Sequence, residues 1–173
     1  MKRITLAFKI ILIIISTTLI ASIFGMLHNQ ISYTISDEFF KDFLFGKFGI
    51  SDWNIKNNRI EASIIGILGS YWMGFYVGII YAVIFLFLKT DNNLKNIFKA
   101  IFINVFITVL GSLSGYLIAH FFISVENSDV WMEFGTQNPQ KYMEALYMNT
   151  GSYYGGILGL IIAIFFLVNR NKH

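Results

Sequence analysis

Two histidines, His28 and His120, are the residues in this 173-residue chain with the most chemistry to offer. Each stands near the outer end of an apolar run. Neutral imidazoles ligate haem and metal ions, and two brought together near an axis would do so. No third ligand follows at a fixed spacing, so the plainer reading is two interfacial histidines bonded to loops. His173 ends the given sequence and is assigned no role. Glu61, Glu126, Asp129, Glu133 and Glu144 flank the same outer ends and, with the histidines, would make an oxygen-rich site for a divalent cation. A solvated acidic loop explains them more simply. Gly111-Ser112-Leu113-Ser114-Gly115, with His120 following, offers a serine and a base. Its spacing is not that of a nucleophile elbow, and nothing fixes an oxyanion hole. There is no P-loop, HExxH or dinucleotide-binding glycine pattern. The absence of cysteine excludes disulfides, thiolate metal sites, iron–sulfur clusters and c-type haem attachment. No catalytic residue is assigned, an enzyme is not expected, and metal and cofactor stay unassigned.

Carboxylates are missing from the depth of every apolar run, where ion-coupled transport places an ionisable group. Asn104 is the one amide well inside a run. Its two readings are a bond to a neighbouring helix, which is favoured, and a contact to substrate.

The elements that carry these residues follow from composition. The chain is 55% hydrophobic and 13% charged, with a mean hydropathy of +0.62. A bilayer core of ~30 Å needs about 20 apolar residues per helix. Four runs meet that need, at about 5–26, 62–88, 100–123 and 151–168. The expected fold is an all-α membrane protein with four transmembrane helices in a single domain. The run after Met1–Lys9 resembles a signal peptide in outline, but its length and the lack of a clean cleavage site favour an uncleaved first helix.

Charge sets the orientation. Lys2, Arg3, Lys9, Lys89, Lys95, Lys99, Arg170 and Lys172 lie on one side with Asp91 as the one acid. Lys41, Lys47, Lys56, Arg59 and Lys141 share the other side with the remaining acids. The first side is therefore read as cytoplasmic, with both termini inside a bacterial inner membrane. The connections 27–61 and 124–150 face out, and 89–99 faces in. The basic excess belongs to topology, so nucleic acid is not an expected partner.

Within the first outer connection, Ile31–Ile35 alternates like a strand. Ser36 then reads as an N-cap with Asp37 and Glu38 in the first turn. Phe39, Phe40, Phe43, Leu44 and Phe45 give the following short helix an aromatic side, and Gly46 and Gly49 end it. This helix is expected to lie on the membrane surface or against the bundle.

The first and third runs align at an offset of 90, with Thr18 on Thr108 and Gly25 on Gly115. The second and fourth align at 82, with Gly69-Ser70-Tyr71 on Gly151-Ser152-Tyr153 and Gly74 on Gly156. A duplicated two-helix hairpin is the reading, with its halves related by an axis along the membrane normal. Gly74, Gly78, Gly111, Gly115, Gly151, Gly155 and Gly159 form small-xxx-small pairs, which pack helices closely in lipid. They place spans two, three and four in a tight core. Trp53, Trp72, Trp131 and the tyrosines near the outer ends read as an interfacial belt.

The segment His28 to Phe40, HNQISYTISDEFF, resembles a family of uncharacterised bacterial multi-pass membrane proteins. These carry His-x-Gln-x-x-Tyr-x-x-Ser-x-Glu-aromatic-aromatic after the first helix, matched here by His28, Gln30, Tyr33, Ser36, Glu38, Phe39 and Phe40. Arg59, Tyr71-Trp72-Met73-Gly74 and Met148–Gly156 are similar too. That pattern has a His-Asn pair where Asn149-Thr150 stand, so a second-half histidine is not retained. The resemblance implies topology and carries no activity.

The function expected is that of an accessory or interaction protein in the bilayer, working through a membrane protein partner or a second copy. A small transporter or channel is the alternative, favoured if Asn104, Ser112 and Ser114 line a polar path. A haem- or metal-binding role through His28 and His120 stands third. Gln30, Tyr33, Glu38 and Arg59 complete the candidate outer-face site.

Overall fold

The computed structural model describes residues 2–88, 93–133 and 135–170. Lys89, Asp91, Lys172 and His173 lie outside the described residues. The chain is an all-α membrane protein. Four of its helices are long and apolar enough to cross a bilayer, and the described residues contain no strand.

Helix α1 runs Lys2–Ile35. It continues well past residue 26, and the strand-like alternation of Ile31–Ile35 is helical. The reason lies in which residues face inward. Gly25, His28, Asn29, Ser32 and Ser36 are buried, at helical spacing, while Ile23, Leu27 and Ile31 are exposed. Lipid accepts the isoleucines, and the interior takes the small and polar groups. An inward-facing apolar stripe is the wrong template for such a helix.

Ser36 ends α1 and caps the next turn, its hydroxyl accepting from the Phe39 backbone N–H at 3.2 Å. Phe39–Leu44 is a π-helical turn that continues into α2, Phe45–Lys47. The sequence reading expected an ordinary helix here. Phe39, Phe40, Leu44 and Phe45 are the buried residues, and their five-residue spacing is the one that a wider turn brings to a single face. They pack with Ile50, Ala62, Ile65, Tyr142 and Ala145 into a core at the end of the bundle where α1 finishes.

Helix α3 runs Asn58–Phe87, and Asn57 caps it by accepting from the Arg59 N–H. Helix α4 runs Asn93–Phe122. Helix α5 runs Pro139–Arg170, so it begins well ahead of Gly151. Proline suits a first helical position. Polar residues such as Lys141, Glu144 and Asn149 hide the early turns from a hydropathy scan, yet Tyr142, Met143, Ala145 and Met148 are buried. A second core closes the opposite end, built on Ile13, Tyr81, Phe85, Ile97, Ile101 and Leu167.

The helices associate as two pairs, α1 with α3 and α4 with α5, with far fewer contacts between pairs. This corrects the expected core of spans two, three and four. Helix α1 belongs to a tight pair through Gly25, where a Cβ would stand 2.2 Å from the Gly66 carbonyl oxygen. Gly74 and Gly78 lie against Thr17, Thr18, Ala21 and Ile14 of α1. Gly111 and Gly115 meet Gly151, Gly155 and Tyr147, and Gly159 meets Asn104.

These contacts correspond between the pairs. Adding 90 on the first helix and 81 on the second turns Gly25–Gly66/Ser70 into Gly115–Tyr147/Gly151. It turns Thr18/Ala21–Gly74 into Thr108/Gly111–Gly155, and Ile14–Gly78 into Asn104–Gly159. The interface register is thus 81, one residue from the 82 given by matching Gly-Ser-Tyr. One residue is 100° of helical rotation. Gly151 accordingly faces α4, while Gly69 faces Phe48 and Tyr153.

Gly66→Leu is expected to destabilise the purified protein by about 1–3 kcal/mol or more, by driving two backbones apart. Gly46→Ala, at a helical glycine with nothing within 4 Å, is expected to be neutral or stabilising by up to about 1 kcal/mol. Thermal unfolding in detergent compares them.

Candidate functional site

Between the two cores, where the helix pairs part, lies a cavity of about 250 Å³. All four long helices contribute to its wall, and Phe39, Phe43 and Leu44 of the π turn lie at its outer end. Along α3 it extends from Ile65 to Tyr81, about 24 Å at 1.5 Å per residue. Most of the wall is aliphatic, aromatic or glycine. Its polar groups include His28, Asn29, Asn104, Asn149 and Ser152.

The amides of this region hold helices together. Asn29 Nδ2 donates to the Ala62 carbonyl oxygen across α1 and α3, at 3.2 Å. Asn104 Nδ2 donates to the Tyr81 hydroxyl across α4 and α3, also at 3.2 Å. Asn149 Nδ2 donates to Ser32 Oγ at 3.1 Å and to Ala145 O. Asn104 is therefore both an interhelical tie and part of the wall. Asn29 and Asn149 escaped the sequence reading as site residues. Their signal was periodicity: Asn29 and Ser32 share the small, polar face that begins at Gly25.

His28 is 6% exposed. Its ring stacks on Phe24, and Nδ1 pairs with Ser112 Oγ of α4 at 3.2 Å. Nε2 is the one buried side-chain polar atom among the described residues with no hydrogen-bond partner. His120 sits elsewhere. Its Nδ1 pairs with Glu144 Oε1 at 2.8 Å, and Tyr116 stacks on its ring. Ser112 and His120 are eight residues apart on α4, about 12 Å along the axis. The two histidines therefore do not share a ligand, which removes the geometry on which haem or metal binding through the pair depended. No group of three metal-binding side chains occurs among the described residues. Glu61 is buried at the start of α3. Ser112 is buried and Ser114 is exposed, so Asn104, Ser112 and Ser114 do not line one path.

The remaining candidates gather at the end of the bundle where α1 finishes. Tyr33, Glu38 and Arg59 border a polar cleft of about 320 Å³. Arg59 donates to Thr34 Oγ1 and lies over the Tyr33 ring. Gln30 Nε2 donates to the Arg59 carbonyl at 2.8 Å and to Ser63 Oγ at 2.9 Å. Glu38 accepts from the backbone N–H groups of Gln137 at 2.7 Å and Asn138 at 2.9 Å, just ahead of Pro139. These side chains join the top of α1 to the starts of α3 and α5. Nearby, the Lys41 ammonium holds the Asp37 carboxyl below its usual range, and Asp37 raises Lys41 in turn. Partial desolvation pushes Asp42 up, helped by Glu133 and Glu38. Such exposed pairs add little stability.

The class defined by this fold is a four-span helical membrane protein with an intramembrane cavity. No protein-family model matches the chain, and no curated protein or solved structure matches it.

Glu38→Ala is expected to cost about 1–2 kcal/mol, because it strips two N–H groups of a carboxylate at a helix N-terminus. Glu38→Gln should cost less. Amide exchange at Gln137 and Asn138 reads the effect locally.

Proposed function

We propose that this chain binds a small ligand inside the bilayer, in the cavity between its two helix pairs, as the binding step of a small carrier. The observation that carries the reading is the cavity itself. It takes its wall from every long helix, it lies where the pairs make few contacts, and it includes a buried histidine. Concave, mostly apolar sites with a few convergent polar groups are where small ligands bind. The reading places the transport alternative ahead of the accessory one. It assigns no catalytic residue, and the chain acts without covalent chemistry.

The proposal extends to placement. Lys9, Lys95, Lys99 and Arg170 all lie at one end of the bundle, because α1 and α4 begin where α3 and α5 finish. That end is assigned to the cytoplasm of a bacterial inner membrane. The paired registers of 90 and 81 support descent from a duplicated hairpin. Membership of the uncharacterised family that His28–Phe40 resembles is part of the same proposal and brings no activity with it. An accessory role draws on the exposed ladder Ile11, Ile15, Leu19, Ile23, Leu27 and Ile31 on α1, a face that lipid covers equally well.

Gly156→Leu supplies the test. A Cβ at Gly156 would meet only the Met73 sulfur at 3.5 Å and Thr108 Oγ1 at 3.7 Å, so a larger side chain fills the cavity without a backbone clash. Native mass spectrometry of protein released from its membrane is expected to show one small molecule per chain. Gly156→Leu should carry none while melting within a few degrees of the parent. Bare spectra for both proteins would sink the binding reading and return the accessory role to the front.

A further inference from the structure

We infer that the cavity takes a single-chain amphiphile with an uncharged hydroxyl head, and that the head bonds Nε2 of His28. The inference rests on the cavity being a binding site, and it names the ligand class and the anchoring atom.

The orphan nitrogen is the starting point. A buried polar atom without a partner costs about 1–3 kcal/mol, so an unpaired one on a cavity wall marks a place where a partner belongs. Nδ1 is turned toward Ser112, which is not part of the wall. The opposite edge of the ring carries Nε2, which is buried, and His28 is part of the wall. The nearby amide N–H groups are already engaged: Asn29 with Ala62, Asn104 with Tyr81, and Asn149, which also approaches the His28 ring, with Ser32 and Ala145. Nε2 of His28 is thus the buried polar atom of the wall without a hydrogen bond.

The head group follows from the histidine. Ser112 is able to donate to Nδ1 or accept from it, so Nε2 is either a donor or an acceptor. A hydroxyl satisfies both forms, whereas a carbonyl satisfies only one. Charge is disfavoured. The wall holds no carboxylate, and its one cation, Lys47, is exposed. An ion beside His28 would be desolvated without a buried counter-charge, which is costly.

The tail is set by the space below the head. From His28 the cavity follows α1 down to Thr17, past Phe24, Ala21 and Ile20. Eleven residues are about 16 Å, near half of a ~30 Å hydrocarbon core. That is room for one extended chain in one leaflet. The seam between α3 and α5 is spanned by side chains, with the Tyr153 hydroxyl reaching the Gly69 carbonyl at 3.4 Å. Met73 stands beside Gly156 there. A chain entering from the lipid has only side chains to displace at that seam.

Dodecanol, dodecane and dodecanoate separate the possibilities on the full chain in lipid nanodiscs. Native mass spectrometry gives stoichiometry and competition, and the imidazole nitrogen resonances of labelled histidine report on His28. The expected result is one dodecanol per chain, held roughly ten-fold more tightly than dodecane, with the Nε2 resonance moved by the alcohol and unmoved by the alkane. His28→Leu should bind alcohol and alkane equally, Ser112 then turning back to its own helix. The wild-type nitrogen shift decides the matter should that variant fail to fold. Equal binding of alcohol and alkane with a silent Nε2 would overturn the head-group assignment, a trapped water filling the role, while the cavity reading stands. Tightest binding by dodecanoate would overturn it in favour of an acidic head at Lys47. Stoichiometric binding by none of the three would overturn both readings together.

Discussion

The architecture depends on helices approaching until backbone meets backbone. Lipid offers no hydrophobic drive to bring apolar helices together, so dense contact and interhelical hydrogen bonds must do it. At Gly25 and Gly66, and again among Gly111, Gly115, Gly151 and Gly155, the space a Cβ would need is occupied by the opposing main chain. Two stiff pairs result. Everything else, including the gap between them, follows from the closeness being within pairs and not across them.

Much of this was legible in the residues. The four spans stand out by hydropathy, and the small-xxx-small pairs name the glycines that lie at interfaces. What escaped was the pairing. Gly25 lacks a glycine four residues away in α1, so no motif flagged it, and its partner Gly66 sits eight residues before Gly74. The helix ends were misplaced for a related reason. At the outer ends of α1 and α5 the buried face is made of Asn29, Ser32, Ser36 and Asn149, whose polarity reads as loop when scored for hydropathy.

The outer-face candidates show how the same residue types divide between structure and site. Gln30, Tyr33, Glu38 and Arg59 were grouped with His28 by the resemblance of the segment that carries them. In space they splice three helix ends, with Gln30, Glu38 and Arg59 hydrogen-bonded to backbone groups and neighbouring side chains and Tyr33 lying under Arg59. His28 lies on the inward face, where its neighbours are Phe24, Ser112, Asn149 and the cavity. A spacing of two residues along α1, from His28 to Gln30, separates a cavity wall from a surface joint. Only three-dimensional placement draws that line.

The length of α1 has a mechanical consequence. Its 34 residues make a rod of about 51 Å, against a hydrocarbon slab of ~30 Å. A rod longer than the slab answers a change in membrane thickness by leaning. This rod bears the π turn at its upper end and Thr17 near its middle, at the floor of the α1 side of the cavity. The π turn is packed on Tyr142 and Ala145 of α5 as well as on α3, so leaning loads the contacts that join the two pairs. The thickness of the surrounding bilayer is therefore felt where the two pairs meet, at the roof of the cavity.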